Sequence, residues 1–441
     1  MKNQIQKTID LAMNSGADAC DVIVSAGESL NLSALNGKLE KFKVAQSSVF
    51  GIRVIKNKKV GLSYSESADE DALAFAVKSS LENAAFSDIN EFESISVKNK
   101  TDVISPASAR DQSSIEEKIE FALKLESEIK KRDSRITAVP YNGLSVSESH
   151  SFYLNHLGSY TEEHENYLSG YTSALIKEAD ATSMHYSSMQ SRLLTEMDLK
   201  KCIEETLEHA TNWLQAKPVA TGKYDVIFDP QVLSEILGAF SSCFSAKEAI
   251  EKTNMWENKI GEKVADINFS MIDSPLYQDA FFKPLVDSEG VLRSDLTLIE
   301  NGILKSFYHN TATANYFKTK TTGHATRGAK SALGVSGSNW LIKPGKHSVD
   351  EVQDGTYLEV VDVMGIGPGS DSVSGEFSFG ASGYLCKNGK RIQPVKGVTV
   401  AGNFNNFISN IVCMGRELEH NHSRGMFAPK IKFKELSVAG I

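Results

Sequence analysis

The chain is 441 residues long, 41% hydrophobic and 23% charged, enough to bury the cores of two or three domains of an ordinary globular protein. Its formal net charge of −9, with no Lys/Arg-rich stripe to reverse it locally, sets the surface against phosphate backbones, so direct nucleic-acid binding is not expected. No stretch approaches the run of about 18 apolar residues that a membrane span needs, and Met1 to Asp10 carries Lys2, Lys7 and Asp10 where a signal peptide would be apolar, which makes the cytoplasm the expected compartment.

Ile5, Ile9, Ala12 and Met13 recur at helical spacing and Gly16 follows as a stop, which predicts an opening helix. Short strands are expected from Cys20 to Ser65, where Asn36-Gly37 and Asn57-Lys58 supply hairpin turns between runs such as Val49 to Ile55. Ser67 with Glu70 three residues on reads as a capping box for a second helix with Leu73, Val77, Leu81 and Ala84 on its apolar face. Ser87 to Ser113 is polar and aperiodic and reads as a linker. The order then recurs. Ser114 with Glu117 caps a helix carrying Ile115, Ile119, Ala122, Leu125 and Ile129, a strand-rich stretch runs from about Ala138 to Ser191, and Leu199, Ile203, Leu207, Ala210 and Leu214 mark a closing helix. Val24 to Gly37 and Val146 to Gly158 are weakly alike, so a duplicated helix-sheet-helix unit is the simplest reading, with α+β subdomains at 1–90 and 110–217.

After Lys217-Pro218 the character changes. A strand from Tyr224 to Phe228 runs into Asp229-Pro230, an N-cap and N1 proline for a helix with Leu233, Leu237, Phe240 and Phe244 on one face. From about Ile260 β signals dominate, with hairpin turns at Asn301-Gly302 and Asn388-Gly389. A late helix is expected from Asn403 through Phe407, Ile408, Ile411 and Val412 to Gly415, and a last strand from Ile431 to Val438. Residues 221–441 thus read as a β-rich C-terminal domain with inserted helices, and the whole chain as α+β.

Isolated motifs offer no active site. Gly365, Gly367 and Gly369 lack the helix a dinucleotide fingerprint needs, and Gly383 to Lys390 misses phosphate-loop spacing and has Arg391 where a magnesium ligand would stand, so both read as turns. A zinc hydrolase needs imidazoles or a thiolate held together beside a carboxylate. His164-Glu165 has no second imidazole one turn on and reads as a solvated acidic turn; His420 and His422 beside Glu419 fall in a loop. Gly337-Ser338 lacks the strand-to-helix context of a nucleophile elbow. Cys20, Cys202, Cys243, Cys386 and Cys413 lie far apart with no C-x-x-C pair, the usage of reduced thiols.

Longer phrases carry more. FFKPLVDSEGVLRSDLTLIENGILKSFYHNTATA (Phe281 to Ala314), TTGHATRGA (Thr321 to Ala329), SNWLIKPG (Ser338 to Gly345) and the stretch from Ser374 to Gly415 resemble the TldD/PmbA family, also called modulators of DNA gyrase, and the likeness extends over essentially the whole chain. The resemblance implies a two-part α+β N-terminal region followed by a β-rich domain. It also implies a metallopeptidase ancestry: in the catalytic branch, a helix after the Asp-Pro step carries H-E-x-x-x-H, with a cysteine near the C-terminus completing a zinc site. Here Ser234 and Ala239 stand where the histidines would be, Glu235 matches the general base, and Phe427 falls near the cysteine position. Positions five apart on a helix point about 140° from each other, so two such ligands require a bend. Gly238 is then either a remnant of that bend or a site of close packing. The expectation is a metal-free chain without a cofactor of its own, paired with a zinc-bearing TldD-type paralogue as a heterodimer, or forming a homodimer when alone. Extended peptides are the expected ligands, taken by β edges and by the loop of His324 and Arg327, which alternatively form a structural turn. Two other classes compete: a peptidase active on its own through an unrecognised site, and a protein-binding modulator of a topoisomerase.

Overall fold

The computed structural model describes residues 1–106 and 108–441. In the N-terminal region α1 (Lys2–Asn14) leads into β1 (Ala19–Leu35), β2 (Lys38–Lys56), β3 (Lys59–Ser65) and α2 (Glu70–Phe86). After β4 (Val103–Ile104) come α3 (Ile115–Arg132), β5 (Ile136–Ala138), β6 (Asn142–Asn155), β7 (Tyr160–Glu178), β8 (Ala181–Ser191) and α4 (Leu199–Asn212). The hairpin turns form as their chemistry requires: Asn36, Gly37, Asn57 and Lys58 all adopt left-handed φ, the twist that suits a two-residue connection. The Ser114–Glu117 capping box closes in both directions. The other does not: Asp69 is the N-cap of α2, and the Ser67 hydroxyl is spent on the Asp69 carboxylate and backbone.

The two expected subdomains share one sheet, ordered β3-β2-β1-β6-β7-β4, with β5 and β8 also on β7. β2 and β7 begin at residues 38 and 160 and end at 56 and 178, and β3 and β8 begin at 59 and 181, a constant offset of 122. The same offset relates Gly27 to Ser149, which face each other in the antiparallel β1–β6 pair. The duplicated units are therefore related by a two-fold through the centre of that pair. On one face, α1 and α2 bury Ile5, Ile9, Leu73 and Val77 on Val24, Phe50 and Ile52, and α3 and α4 bury Leu125, Ile129 and Ile203 on Ala174 and Ile176. The other face meets the C-terminal domain, so the start of β1, covered on both sides, is buried without alternation.

The C-terminal domain opens with β9 (Gly222–Phe228), α5 (Pro230–Ala239) and α6 (Ala246–Ile250). Short elements follow: β10 (Met271–Asp273), β11 (Leu296–Glu300), β12 (Ile303–Leu304), α7 (Thr311–Phe317), β13 (Ala325–Thr326), β14 (Gly334–Val335), β15 (Trp340–Ile342) and α8 (Val349–Val352). The last elements are β16 (Thr356–Met364), β17 (Glu376–Lys387), β18 (Lys390–Asn403), α9 (Phe404–Ser409), β19 (Ile411–His420) and β20 (Met426–Ala439). β9, β16, β17, β18 and β20 pair in sequence, and β20 returns to β9, which closes a five-stranded ring around Val226, Phe228, Val360, Phe379 and Val400. The late helix is shorter than its spacing suggests. It ends at Ser409, and Ile411, Val412, Cys413 and Gly415 belong to β19, because pairing with β20 satisfies that backbone instead. The last strand is correspondingly longer. Gly365 to Gly369 form a turn before β17, and Asn388-Gly389 closes the β17–β18 hairpin. All five cysteines are free, and among the described residues no helix is long and apolar enough to cross a membrane.

Candidate functional site

α5 follows directly from its sequence. The Asp229 carboxylate accepts from Gln231 N at 2.8 Å, Pro230 occupies the first helical position, and Val232, Leu233, Ile236 and Leu237 bury one face in the core. Burial pushes the Asp229 carboxyl above its ordinary pKa. The opposite face carries Gln231, Ser234, Glu235 and Gly238. Gln231 Nε2 donates to Glu235 at 2.9 Å, its Oε1 accepts from His422 N at 3.2 Å, and Ser234 Oγ accepts from Asn421 Nδ2 at 3.2 Å. The loop joining β19 to β20 is thus laced to the helix.

Two clefts flank this face. One, of about 430 Å³, is lined by Glu235, Asp362, His185, His209, His422 and Glu205, at the seam between the N- and C-terminal domains. Burial pushes the His185 imidazole down to about 4, and burial together with the Glu235 charge raises the Asp362 carboxyl. His422 pairs with Glu205 at 3.3 Å, which raises the imidazole and lowers the carboxylate. The other cleft, of about 490 Å³, is lined by Ser234, Gly238, Ser242, Tyr308, Asn421 and Met426.

The residues of α5 do not fit a zinc ion. Ser234 offers only a hydroxyl, already donating to Gln231 O at 2.8 Å, and Ala239 packs its methyl against the core. Phe427 is buried on β20 beside Tyr277, with ring centroids 4.6 Å apart; strand alternation leaves its neighbour Met426 lining the cleft. Gly238 is not a site of close packing: a Cβ there would meet nothing within 4 Å, and α5 ends one residue on, at Ala239, before a short 3-10 segment. It borders open cleft. His420 donates from Nδ1 to Asn421 O while His422 turns to Glu205, and no metal-competent group of three among the described residues includes either.

His324 and Arg327 are not presented to a peptide. Their side chains are 0% and 1% exposed. His324 stacks on Tyr308 and lies 3.2 Å from Asp273, which also accepts from the Ser338 amide and hydroxyl. Ser338 therefore bonds directly to the carboxylate and not to the imidazole, so no Ser-His relay forms there. Arg327 reaches across to Asp21 of β1 at 2.6 Å; the second oxygen of Asp21 accepts from Arg53, which also pairs with Glu93 and Glu289. This sealed charge network joins the domains. Asp21 and Arg327 stand 306 positions apart, and nothing local in the sequence marks them as partners. His164-Glu165, expected in a turn, lies inside β7.

Three family models match in succession: PmbA/TldA metallopeptidase domain 1 at residues 20–84, the central domain at 110–213 and the C-terminal domain at 221–440. The Metalloprotease PmbA homolog of Haemophilus influenzae is 25% identical, covering 95% of this chain and 92% of its own. A Metalloprotease of Methanothermobacter thermautotrophicus is 27% identical over 89% of this chain and 87% of its own, and Metalloprotease PmbA of Escherichia coli O157:H7 is 23% identical over 100% and 96%. Among solved structures, a Thermotoga maritima protein named as a modulator of a DNA gyrase superposes with a TM-score of 0.87 at 23% identity, over 99% of this chain and 100% of that one. TldE of Thermococcus kodakarensis gives 0.83 at 19%, over 99% and 100%. At these identities the two structures speak for the fold alone.

Proposed function

Since the chain belongs to the PmbA/TldD metallopeptidase family, we propose that it is the non-catalytic subunit of a zinc metalloprotease acting on unfolded peptides, with the ion and the hydrolytic step in a TldD-type paralogue. The observation that carries this reading is the face of α5. Glu235 stands where the family's general base would be, yet Ser234 and Ala239 bring no imidazole to hold the metal whose water it would activate. The role left to this chain is to pair with the catalytic subunit and to hold substrate. Its peptide-binding element is the outer half of β2: β3 covers Phe50 to Lys56, so among the described residues Lys38 to Val49 keep a free edge, with Phe42 and Val44 exposed along it. An extended backbone adds to such an edge through main-chain hydrogen bonds, which suits peptides of varied sequence.

Co-expression with a TldD-type paralogue tests the reading. The isolated chain should cleave no unfolded peptide in a chelator-sensitive manner, and the co-purified complex should. Unchanged activity of the complex on Glu235→Gln in this chain is expected. Chelator-sensitive cleavage by the isolated chain, lost on Glu235→Gln, would overturn the assignment in favour of an active peptidase.

A further inference from the structure

We propose a metal-binding role for the N-terminal sheet: Glu148, His150 and His164 form a binding site for a divalent transition ion of the zinc class, remote from α5. Glu148 and His150 are two apart on β6 and so share a face, and His164 on β7 stands directly opposite His150 in register. Their ligand atoms all lie within 4.8 Å of one another. The Glu148 Oε1 atom lies 3.2 Å from His164 Nε2 and 3.5 Å from His150 Nε2. Ligands at about 2.0–2.1 Å from a tetrahedral ion are separated by about 3.3 Å, so the two distances from Glu148 already match a coordination shell and the imidazoles need at most a small rotation to close on an ion. Two imidazoles and one carboxylate suit zinc, and three protein ligands leave a fourth position for water or another donor.

The surroundings hold the set in place. On the same face, Phe152 packs against the cluster that α1 and α2 cover, and Val146 joins Ile119 and Phe121 of α3 around the Leu32 and Leu144 cluster, so the three residues lie between the two helix-covered parts of the sheet. Two residues that precede α3 lie beside them: the His164 amide donates to Ser105 Oγ at 3.0 Å, and Arg110 donates to Glu148 Oε2 at 2.7 Å. The arginine occupies the second carboxylate oxygen, which orients Glu148 and leaves Oε1 facing both imidazoles. With side chains 22%, 40% and 19% exposed, Glu148, His150 and His164 are open to an ion from solvent, and none is a core residue whose replacement threatens the fold. This site stands independently of the partner-subunit reading, because none of its residues belongs to α5 or to the free edge of β2.

The test titrates the full-length chain, stripped with chelator, with Zn²⁺ by calorimetry and with Co²⁺ by visible absorption. One equivalent of Zn²⁺ and the d–d bands of a four- or five-coordinate Co²⁺ site are expected. His164→Ala and His150→Ala should each weaken binding by more than the 10–100-fold typical of losing an outer-shell partner, with melting temperature in the absence of metal showing that the variants fold. Zn²⁺ should raise the melting temperature of the parent and not of the variants. His422→Ala, which removes an imidazole from the cleft beside α5, should leave the stoichiometry unchanged. No Zn²⁺ or Co²⁺ uptake by the parent, or uptake that survives in both the His150 and His164 variants, overturns the proposal.

Discussion

Asp21 takes Arg53 on one carboxylate oxygen and Arg327 on the other, and all three side chains are sealed from water. Asp21→Asn removes the anion while leaving two guanidinium groups buried, and breaking such a pair costs about 3–5 kcal/mol. A large fall in the denaturation midpoint is expected, and a change within error would mean that water reaches the network. His309 makes the opposite kind of demand. Burial, with the neighbouring His324 adding to it, pushes its imidazole down to about 4, against about 6.5 in an unfolded chain. Between those values the unfolded state holds more protons, so stability falls as the solution is acidified, by up to about 3 kcal/mol from this group. His309→Phe should flatten the stability profile between pH 6.5 and 4, measured by denaturant titration across that range.

At the scale of the element, α5 shows how far local rules reach. Gly238 adopts helical geometry with nothing within 4 Å of where a Cβ would stand, so Gly238→Ala should stabilise the protein by up to about 1 kcal/mol, read as a higher melting temperature. The end of α5 was not legible, since the helix stops at Ala239, and Phe240 and Phe244, which continue the spacing, fall in the turn and short 3-10 segment beyond it. Its start was legible because it has a local cause, Asp229 as cap and Pro230 as first residue, and the apolar spacing says which face is buried. The same holds for Asn36-Gly37 and for Ser114 with Glu117. Misreadings arose where tertiary pairing decides. Ile411 and Val412 continue the helical spacing of Phe407 and Ile408, yet Ile411 and Cys413 pair with Phe433 and Lys432 of β20, with Val412 at the irregularity between them. Of the candidate site, the placement of Gln231, Ser234 and Glu235 on the outer face of α5 was legible from helical spacing. The burial of His324 and Arg327, and the meeting of His150 with His164, were not, because both depend on partners brought together by register or by domain docking.

Across the whole molecule, the domains meet where a small residue is required. A Cβ on Gly51 of β2 would lie 2.1 Å from the Ala329 carbonyl oxygen of the C-terminal domain, and a backbone atom has little freedom to withdraw. Gly51→Ala should therefore cost about 1–3 kcal/mol or more. Faster limited proteolysis near the domain seam, alongside a lower melting temperature, would place that cost at the interface. The closed ring of the C-terminal domain carries a consequence of another kind. Ile227 of β9 pairs with Lys432 of β20, residues 205 positions apart, and the intervening strands reach β9 only through β16. During synthesis β9 emerges early and waits for almost the entire domain before its second edge is covered, whereas each N-terminal repeat closes its hairpins within a few tens of residues. Closure of the C-terminal ring is thus expected to be a slow, non-local step of maturation, during which an unpaired β edge is open to wrong partners.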